Sequence, residues 1–350
     1  MKKASAIAIV VAIVVVLAIA GIYFAFLIPP PAPPPPPKIK VASLWPTPLE
    51  EPWPRVVHLA LEKVTDELDL EYYFVENIGY AAYESELRKL AGAGYDLIVT
   101  DAFGSEEAAR RVAKDFPNVH FFLGSELGPV DPNVAVFDNW IHEPAYICGM
   151  VAGKMTKTNI VGVVAAKDIA EVNRLVNAFK AGVKATNPDA KVIISFVGEW
   201  FNPPKTKELA TAQIAAGADV IYAERYGVFE AAKEKGIPTF GNLLDQVLEA
   251  PEIVITGPVW DMYACVKEVI LSIIEDRWKA MDYAEWTMMA KGGAKLAPLR
   301  DWETRLLPEI AERMKEQDIV SLITETEEKI RNGLLRVPID EGTPVSDILI

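Results

Sequence analysis

The residues of this chain that could do chemistry are aromatic rings, carboxylates and amides, and they gather just after short apolar runs. Trp45 and Trp53 follow Ile39–Leu44, with Glu50 and Glu51 between them, and Asp101 and Phe103 follow Leu97–Thr100. Further on, Trp200 and Phe201 follow Val192–Phe196, and Glu224, Arg225 and Tyr226 follow Val220–Ala223. Asn242 and Asp245 come after Thr239–Phe240, and Trp260 after Ile253–Thr256. Exposed rings are costly unless covered, and a flat ligand stacked on them recovers roughly 1–3 kcal/mol per ring. Ionised carboxylates accept hydrogen bonds from hydroxyl pairs and ring N–H groups. Rings with carboxylates therefore suit an uncharged, flat, hydroxylated ligand better than a phosphate. For any single tryptophan, packing between two lobes explains it equally well.

Signatures of catalysis are missing. Gly149–Lys154 has one residue too few for a phosphate-binding loop, and Lys154 is followed by Met155 where a hydroxyl belongs. His142-Glu143 starts an HExxH-like run that lacks the second histidine, and there is no GxSxG or GxGxxG. His58, His120 and His142 are far apart and Cys148 and Cys265 have no CxxC neighbour, so neither a metal nor a cofactor is expected. A net charge of −14 repels nucleic-acid backbones. Only three glutamines (213, 246, 317) beside many Glu, Lys and Arg point toward a hot-living source.

The elements that must position these residues alternate. Nine apolar runs read as strands: those above, Leu70–Val75, Val119–Leu123 and Ile160–Val164. The amphipathic stretches between them, such as Arg55–Leu68 and Ser105–Lys114, read as helices, the pattern of α/β parallel sheets. The run Gly94-Tyr95-Asp96-Leu97-Ile98 returns as Gly217-Ala218-Asp219-Val220-Ile221, and at the same spacing Glu107-Ala108-Ala109 returns as Glu230-Ala231-Ala232. This repeat predicts two similar Rossmann-like lobes facing each other across a cleft, with the loops after the strands at its lips.

The first residues set the location. Lys2 and Lys3 precede an uncharged run from Ala4 to Ile28, long enough to cross a hydrocarbon core of ~30 Å as a helix. It exceeds a secretory apolar region and is followed by no cleavage site, so a retained single-pass anchor with the body outside the cell is expected. Pro29–Pro37, broken only by Ala32, makes a stiff spacer.

Several stretches resemble the basic-membrane-protein family of solute-binding proteins, the purine-nucleoside receptor group. The similarity rests on Glu143-x-x-Tyr146-x-x-Gly149-x-x-x-Gly153-Lys154, Asn159–Val164, Phe179-x-x-Gly182-Val183 and Asn187-Pro188. It continues through Trp200-x-Asn202-Pro203, Lys207–Ala210, Gly217–Ile221, Ala231-Ala232-Lys233-Glu234-x-Gly236 and Gly241-x-x-x-Asp245-Gln246. The resemblance implies a periplasmic-binding-protein type I fold of two lobes joined by three crossings. It also implies a purine nucleoside whose base lies between rings and whose ribose is held by the second lobe, delivered to an ABC transporter permease. On it, Trp53, Asp101-Ala102-Phe103 and Asp245 take the places of family contacts, whereas Trp260 stands where a ribose-touching lysine is expected. No cysteine follows the apolar run, so the protein helix replaces a lipid anchor.

The expected divisions are an anchor over 1–28, a linker over 29–38, a first lobe of 39–155 with 255–295, a second lobe of 156–254, and a C-terminal segment, 296–350, crossing both. Cys148 and Cys265 are expected on helices of the first lobe. The expected activity is capture of a nucleoside without covalent chemistry, at Trp45, Trp53, Asp101, Phe103, Trp200, Phe201, Arg225, Tyr226, Asn242, Asp245 and Trp260. Rival readings keep the fold with a sugar or a signalling ligand, or make the protein a nucleoside hydrolase using Glu50, Glu51 and Asp101.

Overall fold

The computed structural model describes residues 38–350. The anchor and nearly all of the proline linker lie outside the described residues. Among those described, no helix is long and apolar enough to cross a membrane.

Two five-stranded, all-parallel sheets form the frame. The first contains β1 (Lys40–Leu44), β2 (Glu71–Val75), β3 (Leu97–Asp101), β4 (His120–Gly124) and β5 (Val134–Phe137), in the order β2-β1-β3-β4-β5. Its crossovers are helices α1 (Pro52–Glu67), α2 (Tyr83–Gly92) and α3 (Glu106–Asp115), and α4 (His142–Met155) leads onward. The second contains β6 (Ile160–Ala165), β7 (Lys191–Phe196), β8 (Val220–Ala223), β9 (Thr239–Phe240) and β10 (Val254–Thr256), in the order β7-β6-β8-β9-β10. Here the crossovers are α5 (Ala170–Thr186), α6 (Pro203–Ala215) and α7 (Val228–Lys235). Numbered within each sheet, both orders read 2-1-3-4-5, as the internal repeat predicts.

The repeated Gly-x-Asp motif has a physical reason. Gly94 and Gly217 both have positive φ, +84° and +100°, where a side chain would be strained. The aspartate two residues later then holds the start of the neighbouring strand. Asp96 accepts from the Lys40 amide at 2.8 Å, and Asp219 accepts from the amides of Lys157 and Thr158 at 2.7 and 3.0 Å.

Strand β5 was not expected from sequence. Its four residues, Val-Ala-Val-Phe, are all buried, but so short a run after a turn gives no length with which to tell strand from loop. Alternation sorts β3 onto both faces of its sheet: Leu97 and Val99 join the larger apolar cluster and Ile98 the smaller.

Helix α4 packs on α5 so closely that a Cβ on Gly149 would stand 2.0 Å from the Phe179 carbonyl oxygen, and one on Gly182 2.0 Å from that of Tyr146. Residues 138–141 connect the first sheet to α4, which carries the buried Cys148. Cys148 and Cys265 are both buried free thiols. After β10 the chain crosses back through β11 (Pro258–Trp260) to α8 (Tyr263–Ile274), which packs on α1. It crosses a third time after β12 (Ala294–Leu296), the antiparallel partner of β11. The helices α9 (Trp302–Arg305), α10 (Pro308–Glu316) and α11 (Ile319–Arg331) follow. Arg305 donates to the carbonyls of Pro251, Val254 and Ile255, which fixes this segment to the second sheet.

Candidate functional site

The C-terminal ends of both sheets meet around a narrow cavity lined by Thr47, Glu51, Trp53, Asp101, Phe103, Glu171 and Trp200. The room inside it is about 10 Å³, that of a single water, so the walls stand against one another with the side chains placed as they are.

The first lobe supplies the aromatic floor. Trp53 sits in the first turn of α1, between Pro52 and Pro54. Its ring stacks on Phe137 (centroids 5.6 Å, 19°) and meets Trp45, Phe103 and Trp260 at 6.4, 6.0 and 5.3 Å. Gly124, ending β4, makes room for it: a Cβ there would lie 2.1 Å from the Trp53 ring. Across the gap Trp200 faces Phe103 edge-on at 6.3 Å. Its loop is pinned by Asn202, whose side chain caps α6 by accepting from the Lys205 amide at 3.1 Å ahead of Pro203.

An ion pair joins the lobes beside these rings. Arg225, after β8, donates from Nη1 to Glu51 at 2.9 Å, and from Nη2 and Nε to Glu224 at 2.7 and 3.0 Å. All three residues are at most 4% exposed. The guanidinium also lies 5.6 Å from the Trp200 ring. Burial opposes charge on Arg225, but Glu224 and Glu51 outweigh it and hold the guanidinium protonated. For Glu51 burial wins over the pull of Arg225, raising its carboxyl to about 7.

Two further acids line the cavity without a cation. Asp101, ending β3, accepts from the Phe103 amide at 2.9 Å, and burial holds its carboxyl well above the usual carboxylate range. Glu171, in the first turn of α5, accepts from the Asn139 amide group. Burial, then the charges of Asp138 and Glu224, push it to about 8.

Of the expected site residues, Trp53, Asp101, Phe103 and Trp200 line the cavity, and Arg225 adjoins it. Trp45 and Trp260 are buried behind Trp53, their indole N–H groups unpartnered. Asn242 accepts from the Tyr222 hydroxyl at 2.7 Å and donates to Glu224, so it orients the acid that holds Arg225.

Three expected residues stand apart from the cavity wall. Phe201 and Tyr226 stack on each other at 6.0 Å, and Tyr226 is exposed. Asp245 turns away because Arg300 of the C-terminal segment binds it. Glu171 and Thr47 were not singled out from sequence. An acid in a first helical turn reads as an ordinary complement to the helix dipole, and only its place after a strand end, shared with the other loops, signals more. Among the described residues, no group of three or more His, Cys, Asp or Glu is arranged to hold a metal ion.

Rings from both lobes, buried acids and a cross-lobe ion pair thus meet at one cleft. The chain is 29% identical over 269 residues to a purine-binding protein of Brucella abortus, covering 76% of this chain and 72% of the relative. It is 29% identical over 288 residues to a putative ABC transporter glucose-binding protein of Haloferax volcanii, covering 81% and 70%. A solved ABC transporter solute-binding protein from Aeropyrum pernix superposes with a TM-score of 0.71 at 21% identity, over 86% of this chain and 94% of that one, which shows the periplasmic-binding-protein-like fold. The family model described as "ABC transporter substrate-binding protein PnrA-like" matches residues 38–294, so the chain belongs to that family of ABC transporter substrate-binding proteins.

Proposed function

We propose that the protein captures a purine nucleoside between its lobes, outside the cell, and hands it to an ABC permease while tethered by its N-terminal apolar run. The observation that carries this is the cavity itself: Trp53, Phe103 and Trp200 supply ring faces and edges, and Asp101 and Glu171 supply acceptors for N–H and O–H groups. The name of the Brucella abortus relative, and that of a nucleoside-binding protein from Lactococcus lactis 28% identical over 166 residues, support a nucleoside. Capture is a hinge motion in which contacts to both lobes favour the closed state. It involves no bond breaking.

A sugar is the second reading, favoured by the glucose-binding name of the Haloferax volcanii relative. A thermal-shift screen separates the two, because only a ligand that binds the native state raises the midpoint. Adenosine, guanosine or inosine is expected to raise it and glucose or ribose to leave it unmoved; the reverse would establish the sugar. Incubation with inosine is expected to release no free base, and turnover would make the protein an enzyme.

A further inference from the structure

The closed cleft holds more carboxyl groups than cations. Glu51, Asp101, Glu171 and Glu224 are gathered at it from both lobes. The one guanidinium among them, Arg225, has its three bonding nitrogens on Glu224 and Glu51. Asp101 and Glu171 meet only amide donors.

Among the described residues no cation is paired with Asp101 or Glu171. From the loop after β5 comes Asp138, and from α5 comes Arg174, which is held by Asp138 and Glu341. The loop after β6 brings Lys167, whose ammonium lies 4.9 Å over the Trp200 ring. The loop before α2 brings the Tyr80 phenol, and the start of α3 brings Glu106, which adds to the negative field at Asp101 and is itself paired with Arg110.

We propose that closing of the lobes takes up protons on Asp101 and Glu171, so that the closed, ligand-holding state gains as pH falls. The proposal deepens the reading of this cleft as a capture site. Separating the lobes returns these acids to water and to ordinary carboxylate behaviour. Closure buries them, and burial is the first cause of the upward shift of both, Glu171 to about 8. A group that binds its proton more tightly when closed favours closure below its closed-state value and loses that contribution as pH rises through it. The closed-to-open ratio then falls by up to about tenfold per pH unit for each proton taken up.

The test needs no ligand, so it stands whether or not a nucleoside binds. Spin labels at Glu107→Cys on α3 and Glu208→Cys on α6, in the full chain in lipid nanodiscs, report the distance between lobes by pulsed electron resonance; both positions are exposed. Cys148 and Cys265 are buried and escape labelling. The short-distance population is expected to dominate at pH 6 and to fall at least about tenfold by pH 9. Glu171→Gln, or Asp101→Asn in case the first misfolds, is expected to retain more of it at pH 9 than the wild type does. An unchanged distribution between pH 6 and 9, opening at the acid end, or variants that track the wild type would each overturn the proposal.

Discussion

At the scale of single residues, the cleft is organised by one buried cation. Arg225 is surrounded by Glu51, Glu224 and, through Glu224, Asn242. Removing one member of a buried ion pair leaves the others charged and unsolvated, which costs about 3–5 kcal/mol. Arg225→Ala is therefore expected to lower stability by that amount in denaturant unfolding. Adding Glu224→Gln should recover part of it, and a variant as stable as wild type would show the pair to be unimportant. Rings and acids at strand ends were readable from sequence because composition alone marks Trp53, Asp101, Phe103 and Trp200. The partners they would find were not readable. Asp245 reads like a cleft acid until Arg300, 55 residues away, claims it, and Glu171 reads like a helix-start acid until folding brings it beside Trp200.

At the scale of elements, close approach of backbones decides the architecture. Helices α4 and α5 cross where Gly149 and Gly182 leave no space for a Cβ. Gly149→Ala must push the helices apart, and overpacking of this kind costs about 1–3 kcal/mol. A midpoint unchanged in thermal unfolding would contradict the contact. The same glycines stood in the sequence as part of the family-like motif, yet nothing local shows that α4 packs with the second sheet and not the first. The edge of that sheet is guarded by the C-terminal strap. Val192 and Ile194 of β7 donate to Asp347 and to Ser346, and Asp347 returns a bond to the Val192 carbonyl. Lys180 and Asn177 of α5 bind the same strap. Ending the chain at Arg336 bares an unpaired edge. Light scattering is expected to show self-association of the shortened protein, and a monodisperse product would show the strap to be dispensable.

At the scale of the whole molecule, two sheets of the same strand order face each other, and their meeting makes the site. The duplication was legible because Gly94-x-Asp96 and Gly217-x-Asp219 serve one structural purpose twice. How far the lobes close was not, since closure depends on pairs such as Glu51–Arg225, which are 174 residues apart in sequence. Buried acids with raised proton affinity also shape overall stability. The native state binds protons that the unfolded chain has released by pH 5–6, so stability is expected to fall between about pH 5 and 8. The central claim is that the interlobe cavity takes a nucleoside against the Trp200 ring. Titration calorimetry of inosine and adenosine into the wild type and Trp200→Ala tests it directly. Trp200 is half-buried at the rim, so its removal should leave the fold intact. The expected result is saturable binding by the wild type and a loss of at least about tenfold in the variant. Equal affinity in both proteins, or no heat from any nucleoside, would contradict it.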